Sequence, residues 1–301
     1  MKRGGNSLWA MALRQLLKNR AAVAALCVVI LSILTALGAG TGLIARGVHV
    51  RHQKEIVLPD GSRKLVMREY EPPSREFLCG TDIFGRDVFQ RTLHGLKTAL
   101  LIGLITAAIA IPIGLLAGAA AGYFGGFIDE VIVWFYSALS SIPWLLLLLS
   151  MSLIFGRGLQ GVYLAIGLTS WVNLCRLVRA EVMKLKGAEY VQAARALGAG
   201  PGRILFRHII PNVSHLVVIT FTLQFCTAIK AEVILSYLGI GVELGMPSWG
   251  NMIQSARQEL QRGAWWQFAA ATTAMFVIVL AFNPTLTEKG FFCQKNANFG
   301  I

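Results

Sequence analysis

The chain has 301 residues, 55% of them hydrophobic and only 14% charged, with a mean hydropathy of +0.61 and a formal net charge of +13. That composition excludes an ordinary soluble domain, where apolar residues make up roughly 45–50% and charged residues about 25%. The positive excess is what Lys and Arg flanking membrane spans produce, and no interleaving of basic with aromatic residues points to nucleic acid.

Residues 1–20 hold Lys2, Arg3, Arg14, Lys18 and Arg20 and no acid, with Trp9, Leu13, Leu16 and Leu17 on one helical face. The segment reads either as a helix lying on the cytoplasmic membrane surface or as a loose basic anchor. It is long for the charged start of a secretory signal and more spans follow, so no cleavage is expected. Residues 21–45 form the first charge-free run and the first expected span. Residues 46–97 are polar, with ten basic and seven acidic side chains and a turn signal at Pro59-Asp-Gly61, and read as an extracytoplasmic loop. Within it, Gly80-Thr-Asp82 and Gly85-Arg-Asp87 suit a turn closed by its own aspartates.

The runs 98–128, 131–156 and 158–175 each reach the roughly 18 residues that cross a bilayer. A fifth span, 213–237, contains His215, Lys230 and Glu232, and a sixth, 265–282, opens on the interfacial pair Trp265-Trp266. The expectation is an all-α integral membrane protein with six transmembrane helices, a core over 98–283 and a second polar stretch over 243–263. Gly114, Gly118 and Gly122 recur every four residues and predict a flat strip for close helix packing. Pro112 and Pro143 interrupt the second and third spans, where a kink is expected. Lys230 and Glu232 either line a pathway or reach headgroups; two residues apart, they do not share a helix face.

Five basic residues before the first span place the N-terminus inside, and six spans put the segment 176–212, with seven basic residues, inside too. The five cysteines imply no disulfide framework, and neither a CxxC nor an HExxH pattern marks a metal site. No Gly-x-x-x-x-Gly-Lys-Ser/Thr loop is present, so ATP energy must come from another chain.

The segment 176–212 is a polar island patterned for helix. Tyr190, Ala194 and Leu197 fall at helical spacing, Glu189 sits in the first turn, and Gly198 is a natural stop. Pro201 suits the start of a second short helix, and Pro211 is expected to end it. From spacing alone, the element is equally a solvated connector or a docking element for a partner.

Gln192-Ala193-Ala194, Gly198 and His208-Ile-Ile-Pro211 resemble the EAA loop of permease subunits in bacterial ABC importers. The resemblance extends through Cys79-Gly-Thr-Asp-Ile-Phe-Gly-Arg-Asp87, Gly122-Tyr-Phe-Gly-Gly-Phe-Ile-Asp129, Leu235-Ser-Tyr-Leu-Gly-Ile-Gly241 and Pro247-Ser-Trp-Gly250, in family order over about residues 10–283. That combination looks like the dipeptide/oligopeptide permease C subfamily. The resemblance implies a MetI-like type I importer fold with a cytoplasmic coupling helix, located in the bacterial inner membrane. It further implies a second permease subunit, two cytosolic ATPase subunits carrying ATP and Mg, and an extracytoplasmic solute-binding protein, with no cofactor on this chain. Carried over by position, Glu189, Tyr190, Gln192, Ala193, Ala194, Arg195, Leu197, Gly198 and Pro211 become the coupling site.

Two positions depart from the family pattern: Gln192 replaces a usual acid and His208 a usual aliphatic, so docking is expected to lean on shape more than charge. Residues 284–301 match nothing in the family ending, and a frameshifted, truncated or replaced terminus is the expectation there. Two rival classes compete. A secondary transporter or channel would need intramembrane ion-coupling residues and commonly shows inverted repeats, and no internal repeat is detected. A membrane-embedded enzyme would need clustered catalytic side chains, which the spans do not offer.

Overall fold

Long charge-free runs become long helices in the computed structural model, which describes residues 20–57, 62–243 and 245–282. The first helix, α1, spans Arg20–Gly40 and ends five residues short of the expected boundary, where Leu43 N and Ile44 N both donate to Gly38 O. A hairpin of β1 (Gln53–Val57) and β2 (Arg63–Met67) follows, paired antiparallel from Gln53 opposite Met67 to Val57 opposite Arg63. The expected turn at Pro59-Asp-Gly61, the interfacial helix before Arg20 and the atypical tail lie outside the described residues.

The second helix, α2, runs Val88–Phe124 and starts ten residues earlier than the charge-free run. Asp87 caps it: one carboxylate oxygen accepts from Phe89 N at 2.8 Å and from Gln90 N at 3.5 Å. Pro112 lies inside this unbroken helix, contrary to the expected interruption. Pro143 does break its span. The run expected to cross as one helix is α3 (Gly126–Ser141) and α4 (Trp144–Phe155), bent by 96° with Ile142 extended at φ −85°, ψ 131°. The proline ring drives the residue before it out of helical geometry, so the chain turns there.

The remaining elements are α5 (Leu159–Leu185), α6 (Glu189–Ala196), α7 (Pro201–Ile204), a π-helical turn over Leu205–Ile209, α8 (Ile210–Tyr237), α9 (Trp249–Leu260) and α10 (Trp266–Ala281). Pro211 does not end the second short helix as expected; the helical path continues from Pro201 to Tyr237. A proline removes one amide donor and pushes against the carbonyl four residues back, and the wide π turn just before Pro211 makes room for both. Among the described residues four helices are long and apolar enough to cross a membrane, and the bent pair makes a fifth if it crosses as one. With 16 residues, α10 reaches only about 24 Å, short of a roughly 30 Å hydrocarbon core. The architecture is helical and membrane-embedded as expected, and four or five spans meet the length and composition test among the described residues.

The described residues fall into two compact units, one of residues up to Leu101 with Ser236–Gly239 and Leu244 onward, the other of Ile102–Leu235 with Ile240–Glu243. In the first, α10 packs on α1 and α9. Here Asp82 closes its own turn, accepting from Phe84 N and Arg86 N at 2.9 Å and from Arg86 Nε at 2.7 Å. Buried Arg91 approaches the same carboxylate at 3.7 Å, and Glu259 accepts from Ile83 N at 3.3 Å. Burial pushes the Glu259 carboxyl up to about 7, against the opposing pull of the Ile83 amide and of Arg91. Trp266 Nε1 donates to Thr81 O at 2.9 Å and Trp249 Nε1 to Thr92 O at 3.0 Å, so both indoles bury their rings without stranding a donor.

In the second unit the glycine strip does what its spacing predicts. A Cβ at Gly114, Gly118 or Gly122 would come within 2.7, 2.5 and 2.7 Å of the carbonyl oxygens of Trp171, Cys175 and Arg179. Each step of four along α2 thus meets a step of four along α5. Asp129 on α3 and Arg179 on α5 form a bidentate ion pair, with Arg179 Nη2 donating at 2.6 Å.

Candidate functional site

The polar island folds as a short helix pinned to its own unit on one side. Val191 is fully buried among Val178, Val182, Ile204, Leu205, Ile209 and Val213, with Ala188, Ala194 and Ala199 packed at the margin. The inward stripe therefore runs Ala188, Val191, Ala194, which places Ala194 against the core and not on the free face with Tyr190 and Leu197. Glu189, Tyr190, Gln192, Ala193, Arg195, Leu197 and Gly198 are exposed, Leu197 at 90%. A leucine left that bare in a well-anchored helix is the unusual feature here.

The helix stops through a Schellman arrangement. Gly198 N donates to Arg195 O and Ala199 N to Ala194 O, both at 3.0 Å, while Gly198 sits at φ +81°. Gly198 is needed for that conformation, which L side chains rarely adopt. Gly200 then caps α7 in an extended conformation and Pro201 opens it, so two short helices meet at a glycine corner as the sequence suggests. Gln192, where an acid was expected, turns its amide inward along the chain and donates Nε2 to Gly187 O at 2.9 Å. Asn212 Nδ2 donates to Tyr190 Oη at 3.4 Å and to His208 O at 2.6 Å, linking α6 to the start of α8 beside exposed Pro211. Beside α6 lies an open hollow lined by Met183, Lys186, Gly187, Gln192, Arg195 and Ala196.

A second feature lies at the α3–α4 break. A cavity of about 430 Å³ is bounded by Ser140, Ile142, Pro143 and Trp144 at the bend, by Thr169, Ser170 and Asn173 on α5, and by Thr220, Gln224 and Thr227 on α8. Of the side chains lining it, none is ionisable. Lys230 and Glu232 are not among them; on α8, Lys230 is exposed and Glu232 is buried, so the two occupy different faces as their spacing requires. Sequence reasoning favoured charges within spans and passed over this site. Its signal was a polar stripe, Thr220, Gln224 and Thr227 at helical spacing on one span, facing Thr169, Ser170 and Asn173 on another. Among the described residues no group of three or more His, Cys, Asp or Glu side chains could hold a metal ion.

Residues 110–286 match the family described as the binding-protein-dependent transport system inner membrane component, and residues 7–45 match the N-terminal TM domain of oligopeptide transport permease C. The oligopeptide transport system permease protein OppC of Bacillus subtilis (strain 168) is 34% identical over 265 residues, covering 88% of this chain and 82% of that one. The dipeptide transport system permease protein DppC of Alkalihalophilus pseudofirmus is 34% identical over 277 residues, covering 92% and 86%. Among solved structures, a chain of the MetNI methionine ABC transporter in an inward-facing conformation matches with a TM-score of 0.42 and 17% identity, over 61% of this chain and 93% of that chain.

Proposed function

This chain belongs to the family of binding-protein-dependent transport system inner membrane components, and from that premise we propose that its α6 corner is the grip by which ATPase closure moves the pore. It is a pore-forming permease subunit of a binding-protein-dependent importer in the inner membrane, and is not itself an enzyme. Around it we place a second permease subunit, two cytosolic ATPase subunits that carry ATP and Mg, and an extracytoplasmic solute-binding protein. Peptides are the proposed cargo, supported by relatives whose names are those of oligopeptide and dipeptide permeases.

The observation that carries the coupling role is the contrast within α6: Val191 is fully buried and Leu197 is 90% exposed. A short helix transmits force as a rigid body only if one side is held and the other free to be gripped. Val191 and its neighbours hold; Tyr190, Ala193, Leu197 and the Gly198 corner offer the free side. Five basic residues and no acid up to Arg20 favour a cytoplasmic N-terminus. With the bent pair crossing as one, four crossings then return α6 to the cytoplasm, where ATPases act.

Purification of the tagged chain from membranes tests the assembly: a sister permease and ATPase chains should remain bound, and vanadate should block uptake. A chain that concentrates solute across vesicles when reconstituted alone would instead be a secondary transporter, and the proposal would fall.

A further inference from the structure

Gln224, which lines the cavity at the α3–α4 break, carries a buried amide nitrogen with no hydrogen-bond partner among the described residues. Three of the cavity's hydroxyls donate to their own helices: Thr169 Oγ1 to Ala165 O at 2.8 Å, Ser170 Oγ to Ile166 O at 2.6 Å and Thr227 Oγ1 to Leu223 O at 2.9 Å. Ser140 Oγ donates to Tyr136 O at 2.8 Å and accepts from Arg176 Nη2 at 2.7 Å. Gln224 differs. Its residue is 7% exposed, it lines the cavity, and its Nε2 has no hydrogen-bond partner among the described residues. A buried amide donor left unpaired is disfavoured, so such a group marks a place where something else supplies the acceptor.

We infer that Gln224 donates to a main-chain carbonyl of the transported solute, in a chamber that reads the peptide backbone and ignores side-chain charge; this rests on the peptide-permease reading above. A volume of about 430 Å³ lies within the roughly 300–1,000 Å³ of small-molecule sites. A peptide carbonyl is a strong acceptor present in every peptide whatever its side chains. The hydroxyls that donate back to their own helices keep lone pairs free, so Thr169, Ser170 and Thr227 are left as acceptors for the peptide N–H groups. The lining residues carry no charge, and the guanidinium of Arg176 is committed to Ser140 and to the face of Tyr136, 4.8 Å from the ring centroid. A neutral chamber neither traps nor repels a cationic or anionic side chain by direct pairing, which suits transport of many peptides through one path. Specificity by side chain would then lie elsewhere in the importer.

The test is whole-cell uptake of three labelled tripeptides, Ala-Ala-Ala, Ala-Lys-Ala and Ala-Glu-Ala, with the chain expressed beside its partner subunits and its membrane level checked by immunoblot. Any preference of the binding protein is common to all variants, so the ratio of variant to wild-type rate isolates the chamber. Gln224→Leu should lower the rate for all three peptides about equally, by roughly tenfold, through loss of the one shared hydrogen bond. Gln224→Glu, which puts a charge where there was none, should lower Ala-Glu-Ala at least about tenfold more than Ala-Lys-Ala. Wild-type rates in Gln224→Leu, or equal ratios for all three peptides in Gln224→Glu, would overturn the inference while leaving the peptide-permease reading standing. A wild-type importer that takes up none of the three would overturn that reading, and this inference with it.

Discussion

Adding a single methyl group to the glycine strip should separate α2 from α5. In Gly118→Ala the new Cβ would lie 2.5 Å from Cys175 O, 2.9 Å from Val178 Cβ and 3.1 Å from Cys175 Cα. Relief to an ordinary contact of about 3.4 Å needs a shift of roughly 1 Å. The obstacle is a main-chain carbonyl within a helix, so no rotamer change can yield and the helices themselves must part. Overpacking of this kind costs about 1–3 kcal/mol, against a gain of about 0.5–1 kcal/mol from replacing glycine inside a helix. A net loss of about 1–2 kcal/mol follows. Gly202→Ala, at an exposed position of α7 with nothing within 4 Å of its Cβ, keeps only the gain and should be neutral or stabilising by up to about 1 kcal/mol. Thermal unfolding of the detergent-solubilised complex, followed by loss of monodisperse protein, reads both, and the two variants should fall on opposite sides of wild type. Once the helices have moved, a second methyl at Gly114 meets less resistance, so the double variant should lose less than the two singles together. A Gly118→Ala protein that melts at or above wild type would refute the close-packed strip.

Three further outcomes follow from other sites. Gly198→Trp forces a bulky side chain onto φ +81° at the glycine corner and should leave the chain in the membrane while ATP-dependent uptake is lost; unimpaired uptake would remove α6 from the coupling path. For Glu259, ordinary ionisation at 4.5 and folded ionisation at about 7 mean that the folded chain keeps a proton the unfolded chain has released. The stability from this group is therefore full below about pH 4.5 and lost as pH rises through about 7, by about 3 kcal/mol. Glu259→Gln should flatten that fall, and equal pH slopes of the melting temperature over pH 5–8 in variant and wild type would contradict the burial argument. At the Arg179–Asp129 pair, a double-mutant cycle with Arg179→Met and Asp129→Asn should return a coupling of about 1 kcal/mol that weakens with added salt, as expected for a bidentate pair open in part to solvent.

Much of the fold could be read from charge-free runs, and its errors trace to what such runs measure. They report where lipid is tolerable, not where helix begins. Arg91 and Lys97 pushed the expected start of α2 to residue 98, yet Asp87 is an N-cap signal and Arg91, in the first turn, lies 3.7 Å from the opposite charge of Asp82. The hairpin Gln53–Met67 was hidden because every residue of β1 is exposed, which leaves no inward face to impose alternation. At the candidate sites the same distinction holds. The α6 corner was legible, since glycine, proline and helix spacing are local signals. The cavity was not, because it depends on a bend at Ile142-Pro143 bringing polar stripes of two distant spans to one space.

Prolines show most plainly why local signals are not enough. Pro112, Pro143 and Pro211 present the same missing donor and the same steric demand, yet one sits in a continuous helix, one turns the chain by 96° and one follows a π turn that lets the helix proceed. The difference lies in what surrounds each. Pro112 is followed on α2 by Gly114 and Gly118, whose carbonyl-lined contact with α5 clamps the helix just beyond the proline. Pro143 follows Ile142, exposed and without such a clamp. Pro211 is preceded by Leu205 and Ile209, both buried in the core that also anchors Val191, so the chain widens its turn to keep those contacts. A proline therefore sets a local demand of a few kcal/mol, and the packing on either side decides whether the helix breaks, yields or runs on.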